Sequence, residues 1–179
     1  MKRCEMERIE QMKEFLEIKK DFLIKERINK MKGIFIENID KKRNEMENAL
    51  RELLPDENKG KLVISYLRSS YILNSHEFYV AYYEGEAFVE EEPSSTYLDL
   101  KLIFDEIDED LQEMDQALHK KFIRVFAGEK EEVRRWYIEQ IYMQFVHVVK
   151  AVVDGISEGK KIEIYYGGYM DALEFVSKI

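Results

Sequence analysis

Cysteine occurs once and proline twice in this chain of 179 residues. The single cysteine, Cys4, cannot close an internal disulfide, which fits a reducing compartment. No neighbour in sequence would depress its pKa toward nucleophilic or redox use. The prolines act as punctuation: Pro55 ends the first section and opens the loop PDENKG, and Pro93 precedes Ser94, Ser95 and Thr96. Long apolar runs are missing too. None approaches the ~20 residues needed to cross a bilayer, and the start MKRCEMERIE lacks the apolar stretch of a signal peptide. A cytoplasmic location without membrane contact is the expectation.

A basic surplus is also missing. The net charge is −9, and it is unevenly spread: residues 1–60 hold 15 Lys and Arg against 14 Asp and Glu, leaving 13 against 23 for the rest. Nucleic-acid binders neutralise phosphates with a basic face, so the body of this protein would repel that ligand. With 45% hydrophobic and 36% charged residues the chain is globular rather than disordered. Its length suits one domain.

Between Gly128 and Gly159 lies the strongest periodic signal. Val133, Tyr137, Ile141, Phe145, Val148, Val152 and Ile156 recur at helical steps. Ile138, Tyr142, Val149 and Val153 widen that stripe, as in a helix at the centre of a core. Residues 5–54 also read as helix, on Ile9, Met12, Leu16, Leu23, Ile24, Ile28, Met31, Phe35, Ile39, Met46, Leu50 and Leu53. A break is expected near Gly33 or Asn38–Asp40, giving an antiparallel hairpin rather than a long coiled coil. Lys61–Leu73 fits either periodicity, and its good helix formers favour helix. EFYVAYY and EAFVEEE around Glu84-Gly85 predict a β-hairpin, with Phe78, Val80 and Tyr82 on one face and Tyr79, Ala81 and Tyr83 on the other. Ser94–Thr96 offer N-caps to a helix from Tyr97 to Phe126 with a break near Asp108. Lys161–Ile179 predicts a second hairpin joining the first, with Gly167-Gly168 bending a strand or making a turn of positive φ.

The fold expected is α+β: mostly helical, with a small antiparallel sheet of about four strands. Residues 1–54 form an N-terminal helical arm packed with a 55–179 core as a single domain.

Three groups of residues could carry chemistry. The acidic run of Asp105, Glu106, Asp108, Glu109 and Asp110 places Asp105 with Glu109, and Glu106 with Asp110, on shared helix faces. That repulsion suits a solvated face or a surface for a basic protein partner, and the spacing is not that of a calcium loop. Asp115, His119, His147 and Asp154 could converge on a metal if their helices packed antiparallel, although no H-E-x-x-H string supports this. Arg68 and Ser69, with Glu77, Tyr79 and the surrounding tyrosines, could line a small-ligand pocket in which the guanidinium holds a carboxylate or phosphate. The serines beside Arg68 sit in no G-x-S-x-G or S-x-x-K frame, and they also suit close helix packing.

The strings LLP with KGK, SYLRSS, the aromatic hairpin, IFDEIDED and GGYM resemble an uncharacterised family of small intracellular proteins from Gram-positive anaerobes. The resemblance covers about residues 50–179. It implies a bacterial, intracellular protein and attaches a role to no residue. The function expected first is non-enzymatic: a regulatory or accessory protein-binding module, self-associating through its N-terminal helices, with no cofactor. Two alternatives stand beside it: a small-ligand binder or enzyme using the pocket of Arg68, Ser69 and the tyrosines, and a metal-dependent enzyme on His119 and His147 with their carboxylates.

Overall fold

The computed structural model describes residues 2–37, 59–89, 94–104, 106–153 and 161–178. In chain order the elements are α1 (Lys2–Glu37), β1 (Lys59–Tyr66), α2 (Arg68–Leu73), β2 (Glu77–Tyr83) and β3 (Ser94–Asp99). They continue as α3 (Lys101–Phe104), α4 (Ile107–Lys121), α5 (Ala127–Gln144), α6 (Val146–Val153), β4 (Lys161–Gly168) and β5 (Leu173–Lys178). The architecture is α+β and largely helical. Among the described residues its sheet has five strands in the order β3-β2-β1-β4-β5. β1 and β4 run parallel and the other pairs antiparallel, so the sheet is mixed rather than the expected four-stranded antiparallel one.

Lys61–Leu73 departs most from expectation. Its first part is strand β1 and only Arg68–Leu73 is helix. β1 is paired on both edges, with Ile64 opposite Val80 and Tyr166, and Leu62, Val63, Ile64 and Ser65 are all buried. A strand covered on both faces loses its alternation and reads as a continuous apolar run. Pairing on both sides overrides the helix propensity of Leu and Lys. Gly60 belongs to this pairing, because a Cβ there would lie 2.3 Å from the Tyr82 hydroxyl oxygen.

β2 forms where expected and its faces divide as read, but its partner is not EAFVEEE. It pairs with Ser94–Asp99, placing Phe78 opposite Leu98 and Val80 opposite Thr96. The residues expected to cap a helix are therefore a strand. Residues 84–89 turn instead, and Phe88 (φ 64°) brings its ring edge-on to Tyr83 and Tyr169. The C-terminal hairpin is present as β4–β5, joined to the first through β1. Its tight turn rests on close approach, since a Cβ on Gly167 would come 2.5 Å from the Ala172 carbonyl oxygen. The residue with positive φ there is Met170, at 59°.

The central periodic stretch becomes α5 and α6. They are separated at Phe145, whose N–H still bonds to the carbonyls of Ile141 and Tyr142. Every residue of its two stripes from Val133 to Val153 is buried, while Ile156 and the expected end at Gly159 lie outside the described residues. α1 runs unbroken through Gly33. The kink expected at Asn38–Asp40, the second helical segment and the boundary at residue 54 also lie outside the described residues.

One face of the sheet, through Leu62, Ile64, Phe78, Val80, Tyr82, Ile162, Ile164, Tyr166 and Val176, joins the helices in a single core cluster. α5 and α6 lie against that face, where the Tyr166 hydroxyl donates to the Tyr142 carbonyl at 2.6 Å. α1 packs on α4, α5 and α6, burying Met12, Leu16, Leu23, Ile24, Ile28 and Met31. Val63, Tyr79, Ala81 and Tyr83 form a smaller cluster on the sheet's other face.

Candidate interaction surface

Arg68 opens α2 and lines a cavity of about 240 Å³ with Lys13, Tyr71, Arg135, Trp136 and two glutamates. Ser69 beside it is exposed. Its neighbour Ser70 is the buried serine, and donates to the Glu77 carbonyl at 2.7 Å. Tyr79 points to the other side of the sheet, against Tyr97 and Tyr169. Arg68, Ser69, Glu77 and Tyr79 therefore do not line one pocket. The tyrosines divide the same way: Tyr66, Tyr71, Tyr82, Tyr142 and Tyr166 belong to the main core, and Tyr79 and Tyr83 to the outer cluster.

Among the described residues the expected metal ligands do not come together. Asp115 is ion-paired to Lys130 at 2.8 Å, and His119 stands 3.6 Å from it on the exposed side of α4. His147 is exposed, in a groove beside Ile24, Lys25 and Ile28 of α1. It is not the core histidine its apolar surroundings in sequence suggest, because Val146, Val148 and Val149 take the inward positions. Asp154 lies outside the described residues. Among the described residues no three His, Cys, Asp or Glu side chains gather to hold a metal.

The buried histidine is His76. Its ring lies between the Tyr142 hydroxyl (2.9 Å) and Asn74 Oδ1 (3.0 Å), stacked on Phe104.

The acidic run is placed more informatively. Asp105 lies outside the described residues, and Asp108 and Glu109 are exposed. Asp110 is buried. Its Oδ2 accepts from Arg27 Nε at 2.9 Å and from the Tyr137 hydroxyl at 2.7 Å, and its Oδ1 accepts from Arg27 Nη2 at 2.7 Å. Glu106, on the same face, also binds Arg27 and lies 3.5 Å from Lys30. The repulsion between Glu106 and Asp110 is thus offset inside the molecule by a guanidinium from α1. Burial works against the charge on Arg27, yet its hydrogen bonds to Asp110 and the nearby carboxylates raise its pKa. Tyr137 is pushed far above the ordinary phenol range, first by burial and then by donating to Asp110.

The chain matches no known protein family, curated protein or solved structure. Its own geometry has to carry the reading. No helix among the described residues is long and apolar enough to cross a membrane.

The least expected surface is on α1. Opposite its buried face, Phe15, Ile18 and Phe22 stand 43%, 87% and 64% exposed. Their steps of three and four put them on one stripe. Phe15 meets the ring of Phe122 edge-on at 5.9 Å, and the exposed Ile123 follows. These three residues were not among the apolar positions on which the helical reading of residues 5–54 rested. The signal was present: a helix with apolar residues all round has more than one surface to cover. A second exposed apolar group, Tyr97, Tyr169, Met170 and Phe175, comes from β3, β5 and the β4–β5 turn.

Proposed function

We propose that the protein is a non-enzymatic, intracellular protein-binding module that self-associates through the outward face of α1. The observation that carries this reading is the exposed stripe Phe15–Ile18–Phe22, set on a helix whose opposite face is locked into the core. Burying large apolar side chains contributes about 2 kcal/mol each, and two copies would together cover six. The same helix is anchored by Arg27 on Asp110 and by Lys20, whose ammonium lies 5.0 Å from the Trp136 ring centroid. The stripe is therefore displayed on a rigid support, which limits the ordering cost of association.

The remaining exposed acidic residues of α4, Asp108 and Glu109 among them, and the exposed tyrosines Tyr97 and Tyr169 are open to further protein partners. Sedimentation velocity of the full chain from 1 to 100 µM, approximate bounds spanning ordinary weak dimers, tests self-association. A dimer of the 21.5 kDa chain is expected, and Phe22→Glu should shift it to monomer while its circular dichroism stays unchanged. A monomer throughout that range would overturn the reading.

A further inference from the structure

We infer that two copies pair through α1 in antiparallel orientation, tied on each side by an ion pair between Glu14 of one copy and Lys25 of the other. This rests on the self-association reading above and adds its geometry.

The outward face of α1 extends beyond the three apolar residues. Gln11, Phe15, Ile18, Phe22, Lys25 and Asn29 follow one another at steps of four and three, the seam of a two-helix pairing. All six are exposed. Laid antiparallel, a seam of this kind sets Ile18 against the partner's Phe22 and Phe15 against the partner's Lys25, with Gln11 against the partner's Asn29. The apolar centre is then closed by two Ile–Phe pairs related by the two-fold, and a lysine stem covers each outer phenylalanine.

Charge selects this orientation over the parallel one. The exposed carboxylates Glu7, Glu10, Glu14 and Glu17 lie in the first half of the helix, while Lys25, Lys30 and Lys32 lie in the second together with Asp21 and Glu26. Several of these charges are used within the chain: Glu10 by Lys13, Glu17 by Lys20, and Lys30 by Glu106. Glu14, Lys25 and Lys32 make no ion pair with any described residue. A parallel in-register pair would set Lys25 against the partner's Lys25 in the seam and carry Glu14 to the flank away from the partner's Glu14. The antiparallel pair sets Glu14 one residue from the level of the partner's Lys25, on the same flank of the helix. The contact occurs twice by symmetry.

Charge reversal on the full chain, read by sedimentation equilibrium, is the test. Glu14→Lys and Lys25→Glu should each weaken the dimer by about tenfold, since each reverses two symmetry-related contacts. The double variant Glu14→Lys/Lys25→Glu should return to near wild-type affinity. In a parallel pair Lys25→Glu would only exchange one like-charge seam contact for another, leaving affinity unchanged, and the double variant would not restore what Glu14→Lys loses. A second readout avoids the charges: in a Cys4→Ser background, Gln11→Cys mixed with Asn29→Cys should give a heterodimeric disulfide faster than either variant forms its own. A dimer whose affinity ignores both single reversals, or which cross-links Gln11→Cys to itself faster than to Asn29→Cys, overturns the antiparallel pairing and leaves self-association standing. A wild-type chain that stays monomeric overturns both.

Discussion

Asp110 accepts three hydrogen bonds in a buried site, two from Arg27 and one from Tyr137. It thereby links α1, α4 and α5 through one carboxylate. A buried ion pair gains little over a well-packed apolar substitute, but removing one partner strands the other charge. Asp110→Ala should therefore cost about 3–5 kcal/mol in urea unfolding, and Arg27→Met/Asp110→Leu should recover most of that loss. Tyr137 makes a separate prediction. Its folded pKa lies above the ordinary phenol value, so the protonated form is favoured in the folded state. Its contribution is complete below about pH 10, where the unfolded chain still holds its phenolic protons. It is lost as pH rises beyond that, because the unfolded chain then releases a proton the folded one retains. The urea midpoint should fall between pH 9 and 11, and fall less steeply in Tyr137→Phe than in the wild type. Buried Tyr142 and Tyr166 act in the same direction and keep part of the slope in that variant.

At the scale of elements, glycine positions separate constraint from tolerance. Gly33 sits inside α1, where a Cβ would meet nothing within 4 Å. Gly33→Ala should raise stability by about 0.5–1 kcal/mol through helix propensity. Gly60→Ala and Gly167→Ala should each lower it by about 1–3 kcal/mol, because the Tyr82 ring and the Ala172 carbonyl occupy the space a methyl needs. Thermal unfolding of the three variants would check both signs. This contrast also shows what was legible in the chain. The apolar stripes of α5 and α6 identified their buried faces, since a 3.6-residue repeat records a face directly. The pairing of Tyr82 with Ser94 rather than with EAFVEEE left no local mark, because strand pairing joins residues distant in sequence. The same limit hid the partner of the acidic run: nothing adjacent to Asp110 announces that Arg27, 83 positions earlier, will reach it.

For the molecule as a whole, α1 is not an appendage. Its residues Met12, Leu16, Leu23 and Met31 belong to the same cluster as the sheet, so deleting residues 2–37 would expose the helices beneath. Such a truncation should lose cooperative unfolding by circular dichroism and bind a dye for exposed apolar surface. Point changes on the outward stripe are for that reason the sound way to examine association. Three properties followed from the sequence alone: an α+β chain rich in helix, the inward faces of α5, α6 and β2, and the C-terminal hairpin. Each is written in a local repeat or a local turn, and a repeat survives without knowledge of what it packs against. Tertiary structure decided that β1 is a strand between β2 and β4, that Asp110 faces Arg27, and that Phe15, Ile18 and Phe22 stay in solvent. Those outcomes depend on which surfaces meet. A helix apolar on two faces can bury only one of them against a single core, and only the packed chain shows which one.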